Sequence, residues 1–348
     1  MILKKILPFL FSAAVLTACH SEQKNEMATL SGKTMGTTYT VKYIVPQNNK
    51  LPNSAQVQQE LDSLLKEVNR QMSTYQNNSE ISQFNQRKAS QGEMPIADDF
   101  AAVVAESIRL NKVTEGALDV TVGPFVNLWG FGPDKTIRQA PTQEQLNAAR
   151  NLVGLDKLIF KQPESGKKAQ LGKTIDGVYL DLSAIAKGFG VDKLADYFEQ
   201  HHVENYLVEI GGELRGKGKN LQGETWRVGI EQPNIAQNQN SQVVVSLHNK
   251  ALATSGDYRN FHMDDKGNRL SHIINPKTEQ PISHNLASIS VVADTTMTAD
   301  GLATGLYVLG EKEALRLAEQ QNLAIFLIIK TEDGFETRMS SAFKSLIN

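Results

Sequence analysis

The sequence predicts an α+β fold: one compact unit with a mixed or antiparallel sheet and flanking helices. Short segments rich in Val, Ile, Thr and Tyr alternate with longer stretches of helical period. Several of the strand-like segments in the second half follow one another closely enough to pair antiparallel. No internal repeat and no low-complexity linker divides the chain.

The chain begins with Lys4 and Lys5, then an apolar run from Ile6 to Val15 interrupted by Pro8 and Ser12, then Leu16-Thr17-Ala18-Cys19. These are the parts of a secretory signal with a small-residue cleavage site. The apolar run is about half of the ~20 residues a membrane helix needs. Residues 1–18 are expected to be signal and 19–30 a polar tether, leaving 31–348 as one domain. Thr37 to Val45 then reads as a strand. Ser54 opens a helix whose Val57, Leu61, Leu64, Leu65, Val68 and Met72 form one stripe. Asn77-Asn78-Ser79 marks a loop. Asp98 or Asp99 is the expected cap of a second helix carrying Val103, Val104, Ile108 and Leu110 and ending near Gly116. Gly130 to Pro141 is irregular, and Thr142 with Gln145 forms a capping box.

Further on, Val178 to Leu182, Tyr206 to Ile210, Trp226 to Glu231, Val243 to Leu247 and Ala287 to Val292 read as strands, with Ala184 to Gln200 as a helix. Thr298 to Leu309 and Glu311 to Gln320 read as helices, and Ala324 to Ile329 as a buried strand.

Charged residues make up 21% and hydrophobic residues 40%, as in ordinary globular chains. The net charge of −2 argues against a nucleic-acid surface. Cys19 is the only cysteine, so the chain has no internal disulfide, thiol nucleophile in its domain or cysteine-bound metal. A metal would sit on oxygen or imidazole, which suits Mg²⁺ or Ca²⁺.

Five segments carry residues of chemical interest, each with a plainer reading beside it. Asp181 to Gly190 leads into a helix with a carboxylate first and Lys187 six residues on. Such a helix start binds phosphate, and the same residues also make a cap with a surface lysine. Gly211-Gly212-Glu213 at a strand end allows close backbone approach to a ligand, or simply a turn. Ala253 to Arg259 gathers hydroxyls with Asp257 and an arginine after a strand. His272 sits in an apolar setting, where a lone histidine is either structural or a base. Asp300 and Thr304, four apart, share one helix face, which offers two oxygens to a hard cation. Asp300 also suits the first turn of a helix by charge alone.

In this order the segments resemble the ApbE family of FAD:protein FMN transferases. The resemblance rests on Thr34-Met35-Gly36-Thr37-Thr38-Tyr39, Met72-Ser73-Thr74-Tyr75, Gly116 to Pro124, Asp181 to Gly188, Gly211-Gly212-Glu213, Thr254 to Tyr258, His272 to Pro276 and Ala299 to Leu306. Leu16 to Cys19 is similar to the lipobox of bacterial lipoproteins. The resemblance implies a T-fold-like architecture and transfer of FMN from FAD to a Thr or Ser hydroxyl of a partner protein. A phosphodiester forms and AMP is released, with Mg²⁺ required. It implies an FAD site lined by Met35, Tyr75, Ala117, Leu118, Asp119, Asp181, Lys187 and Ile274. It implies Mg²⁺ ligands at the Ala184 carbonyl, Asp300 and Thr304, and a general base at His272, with Asp257 the next candidate. Some family members carry an Asp where this chain has Ala303. The implied acceptor is an exported flavoprotein subunit of a membrane electron-transfer complex. Cys19 would be acylated, holding the protein on the periplasmic face of the inner membrane. An Mg²⁺-dependent FAD pyrophosphatase would use the same residues, whereas a flavin-binding lipoprotein without catalysis would need the pocket but not Asp300, Thr304 and His272 together. The chain has no G-x-G-x-x-G, so a Rossmann mode of FAD binding is not expected.

Overall fold

A computed structural model describes residues 26–46, 51–134, 140–230, 243–256, 261–263 and 269–347. Cys19, Glu231 and Asp257 lie outside the described residues.

Eight strands form the main sheet: β1 (Met27–Thr34), β2 (Thr37–Ile44), β3 (Tyr206–Ile210), β4 (Glu213–Lys217), β5 (Lys250–Gly256), β6 (Leu286–Ala293), β7 (Ala324–Thr331) and β8 (Gly334–Met339). Their order across the sheet is their order in the chain, and every neighbouring pair is antiparallel. The mixed alternative is thereby excluded for this sheet. It is a meander into whose connections the helices are inserted. The β2–β3 connection holds α1 (Ser54–Met72), α2 (Glu80–Gln86), α3 (Asp98–Val113), α4 (Gly123–Leu128), α5 (Gln143–Arg150) and α6 (Ala186–Gln200). The β6–β7 connection is α7 (Thr296–Gln321), and α8 (Ser341–Ile347) follows β8.

The central strands are buried on both faces, which explains their continuous apolar runs. In β7, Ile325, Leu327 and Ile329 face α3, α6 and α7 in the largest core cluster. The alternate Phe326 and Ile328 pack against Phe343 of α8 and against Val245 and Leu247 of the hairpin Trp226–Ile230/Val243–Leu247. At the other end, Tyr39, Val41 and Tyr43 of β2 meet Val57, Leu61 and Leu65 of α1 and Leu194 and Phe198 of α6.

Three expectations are corrected. β1 begins at Met27, so residues 27–30, expected as tether, pair with Lys42, Val41, Tyr43 and Ile44 of β2. Neither Asp98 nor Asp99 caps α3; the cap position is Ala97, whose amide donates to Glu80 Oε1 at 2.7 Å. No side chain caps α3 in the ordinary sense; the carboxylate from α2 satisfies the amide of the cap residue itself. Val178 to Leu182 is not a strand. Its partner is the side chain of Asn85, which accepts from the Leu180 amide (2.8 Å) and donates to the Leu180 carbonyl (2.9 Å). The two expected C-terminal helices are present within α7, which is interrupted at Gly310, whose φ of 77° and ψ of 173° are not helical.

α6 and α7 cross at Gly188. A Cβ there would lie 2.3 Å from the Thr296 carbonyl oxygen and 2.7 Å from Asp300 Cβ. The contact is side chain-free on one side, so the two helix backbones approach closely. Asp192 of α6 reinforces it by accepting from the Thr296 and Met297 amides at 3.0 and 2.8 Å, at the N-terminus of α7. Arg215 of β4 donates to the same carboxylate at 2.9 Å and so ties the sheet to the crossing.

Gly188→Ala separates propensity from packing. Alanine is the better helix former by about 1 kcal/mol. The clash here is with backbone, which cannot swing away, and overpacking costs about 1–3 kcal/mol. We expect a net loss of stability in urea unfolding; a more stable variant would refute the close crossing.

Candidate functional site

Two tight hairpin tips open one side of a cavity of about 1040 Å³. Met35 and Gly36 join β1 to β2 with φ of 50° and 73°. Gly211 and Gly212 join β3 to β4 with φ of 61° and 108°. Both tips need left-handed backbone at both residues, as two-residue hairpins of this twist do. They lie together because the Gly211 amide donates to the Thr38 carbonyl at 3.0 Å. Met35 is a non-glycine residue in that region, a conformation uncommon enough to mark the position.

The floor of the cavity is electrostatic. Lys187, in the first turn of α6, places Nζ 2.7 Å from Glu213 Oε1 and 3.7 Å from Asp300 Oδ1. Asp300 Oδ2 accepts from the Gly188 amide at 2.9 Å. Glu213 and Asp300 are each 3% exposed. Burial pushes the Glu213 carboxyl up to about 7, against the pull of Lys187. Burial likewise raises Asp300, opposed by Lys187 and by the Gly188 amide. For Lys187, burial works against the charge, and the Asp300 and Glu213 carboxylates outweigh it and hold the ammonium above its ordinary value. Glu213 Oε2 is buried with no hydrogen-bond partner. A buried acceptor left open costs about 1–3 kcal/mol, a cost that folds retain mainly at functional sites.

Thr304, one turn after Asp300 on α7, lines the same cavity, with Oγ1 3.3 Å from Ser255 Oγ of β5. Thr254 is held to Ser290 of β6 at 2.7 Å. Half-buried His272 lines the wall after the short strand Arg269–Ser271, beside Ile274. Among the described residues no three His, Cys, Asp or Glu side chains converge as a metal cluster. An ion here would lean on the carboxylate of Asp300, on hydroxyl and carbonyl oxygen, and on its other ligand.

The remaining wall comes from loops held by side chains. Asp119 Oδ1 accepts from both the amide and the hydroxyl of Thr121, at 2.8 and 2.6 Å, and burial raises its pKa against those two bonds. Asp181 is positioned from both sides. Its amide donates to the Val120 carbonyl at 2.8 Å, and its carboxylate accepts from the Ser183 amide at 2.8 Å. Upstream, Lys173 donates to the Val178 carbonyl at 2.8 Å and the Asn85 carbonyl at 3.2 Å, over the Phe84 ring. Tyr75 stands 59% exposed at the rim.

Thus Met35, Tyr75, Ala117, Leu118, Asp119, Asp181, Ala184, Lys187, His272, Ile274, Asp300 and Thr304 all line one cavity. Asp257 lies outside the described residues. Lys187 is no surface cap residue. Glu213 and Ser255 were missed as site residues. Both stood in quoted motifs, but the signal for each is its contact with Lys187 or Thr304, remote in sequence.

The model of the ApbE family matches residues 35–327. A Haemophilus influenzae protein named FAD:protein FMN transferase is 51% identical, covering 99% of each chain. The solved structure of flavin transferase ApbE from Vibrio cholerae is 47% identical with a TM-score of 0.84, covering 92% of this chain and 99% of that one. The apo form of Pseudomonas stutzeri flavinyl transferase ApbE is 37% identical with a TM-score of 0.83, covering 93% and 97%. This chain belongs to the ApbE family.

Lys173 supplies a pH test of the loop support. It is buried, and burial pushes its pKa from 10.5 down to about 8. Between those values the unfolded chain holds more protons, so this contribution to stability is complete above pH 10.5 and lost as pH falls through 8. We expect the stability difference between wild type and Lys173→Met, from urea melts at pH 7.5 and 9.5, to move in favour of wild type at the higher pH. A pH-independent difference would rule out the lowered pKa.

Proposed function

We propose that this chain transfers the FMN part of FAD to a Thr or Ser hydroxyl of another protein. The observation that carries the reading is the convergence of Lys187, Asp300, Thr304 and His272 on one cavity. Its volume is at the upper end of the range for small-molecule sites and suits a dinucleotide. The relatives bear the name of this activity.

In the proposed reaction the acceptor hydroxyl oxygen attacks the phosphorus of the FMN half. The bond from that phosphorus to the bridging pyrophosphate oxygen breaks, and AMP leaves with that oxygen. The hydroxyl proton passes to His272. Lys187 supports the negative charge on the phosphates, where fixed charge in a water-poor site acts strongly. Met35, Tyr75, Ala117, Leu118, Asp119, Asp181 and Ile274 surround the dinucleotide.

A hard cation fits the donors present. Asp300 offers a buried carboxylate whose charge burial disfavours, and Thr304 offers a hydroxyl one turn on. Mg²⁺ would be held by these and the Ala184 carbonyl, with Ala303 adding no ligand, and would supply neutralising charge to the pyrophosphate. We also assign Cys19 a lipid anchor on the periplasmic face of the inner membrane, because it ends a lipobox-like run. The acceptor is then an exported flavoprotein subunit of a membrane electron-transfer complex.

Incubation with FAD, Mg²⁺ and an exported flavoprotein, resolving AMP, free FMN and FMN-bearing protein by mass, tests the reading. AMP matched by free FMN alone would replace transfer by hydrolysis. His272→Asn is expected to keep FAD affinity and slow single-turnover transfer by roughly 10²–10⁴-fold; an unchanged rate removes His272 as the base. A Cys19→Ser protein made without residues 1–18 is expected to be soluble and fully active in vitro. Loss of turnover in that folded protein would give Cys19 a role beyond anchoring.

A further inference from the structure

We propose that Glu213 is a positioning residue for the transfer: its carboxylate holds the Lys187 ammonium away from Asp300 and ready for the substrate pyrophosphate. This inference rests on the function proposed above.

Glu213 is the first residue of β4, directly after the Gly211-Gly212 turn, and pairs with Ile210 across the hairpin. Its backbone is therefore fixed by the sheet. Lys187 is a different kind of group, a charge on a flexible four-carbon stem. Two carboxylates compete for it. Glu213 is the nearer at 2.7 Å, and Asp300 lies at 3.7 Å. Without Glu213 the ammonium would close on Asp300. Its charge would be quenched and the one acidic oxygen not already engaged by the Gly188 amide would be occupied. Glu213 keeps both groups available, the ammonium for phosphate and Asp300 for a cation.

The contacts of Glu213 suit this task and no structural one. Among the described residues the only other side chain it pairs with is Lys187, its own backbone amide adds to that, and its second oxygen is buried without a partner. A carboxylate retained for fold stability would have both oxygens satisfied, as Asp192 has across the α6–α7 crossing. Glu213 leaves one lone-pair set unused and spends the other on a lysine that lines the cavity.

A double-mutant cycle on the full chain tests this, with AMP release and FMN transfer followed in single turnovers at saturating FAD. Glu213→Gln keeps the shape and removes the charge. We expect a rate loss of about 10–100-fold, the scale for a displaced catalytic group, with FAD affinity changed less than about threefold and an unchanged melting temperature. In a Lys187→Met background, adding Glu213→Gln should cost nothing further, because the group it positions is gone. Additive losses would overturn the inference by making Glu213 act on its own. Parallel loss of FAD binding and melting temperature would overturn it by making Glu213 structural. A wild type that binds FAD and releases no AMP would instead refute the proposed function itself.

Discussion

The α6–α7 crossing is the contact on which the rest of the structure depends. Gly188 lets two helix backbones come together where any side chain would collide with the Thr296 carbonyl. That proximity puts the Asp300 carboxylate on the Gly188 amide and Lys187 within reach of it. Gly301 and Gly305, further along α7, instead leave room for side chains, those of Leu110 of α3 and of Thr114 and Leu118. α7 is thus a spine whose glycines let neighbouring elements pack closely against it. The cavity forms along it because helices packed this closely leave their first turns side by side.

Charge burial is the second constraint. Lys187, Glu213 and Asp300 form a trio with two acids to one base in a largely dry setting. Desolvation opposes all three charges; for Lys187 the two carboxylates outweigh it, and for Glu213 and Asp300 the lysine offsets only part of it. The trio is short of positive charge, which is the condition in which a carboxylate pair gains from a cation. It is also short of hydrogen-bond donors, as the open Glu213 oxygen shows. The contrast with Asp192 is instructive. That buried carboxylate is fully engaged by Arg215 and two helix amides, and it stabilises the crossing without facing a ligand.

The antiparallel meander explains how a simple sheet carries so elaborate a site. Neighbouring strands follow one another in chain order, and the sheet keeps that order while tolerating long insertions between them. Six helices sit in the β2–β3 connection, and the two hairpin tips remain adjacent regardless. The wall segments then need support of their own. Asn85 supplies it for Leu180 by presenting an amide to both its amide and its carbonyl, as a neighbouring strand would.

What the sequence determined by itself was local. The Thr142–Gln145 capping box, the Val57–Met72 stripe and the helix break at Gly310 rest on residues within a turn or two of each other, and each is present. The motif blocks also marked the residues of the cavity, because residue type and spacing carry chemical meaning before folding. Tertiary structure decided everything that is a distance between remote residues. It put Ala97 at the α3 cap position, its amide on Glu80, in place of Asp98 or Asp99, and gave Val178–Leu182 a side chain for a partner instead of a strand. It turned Gly211-Gly212-Glu213 from a turn motif into the seat of Lys187's counter-ion. No spacing rule reaches these pairs, because they depend on where α6 and α7 cross, and that is set by close packing of the whole core.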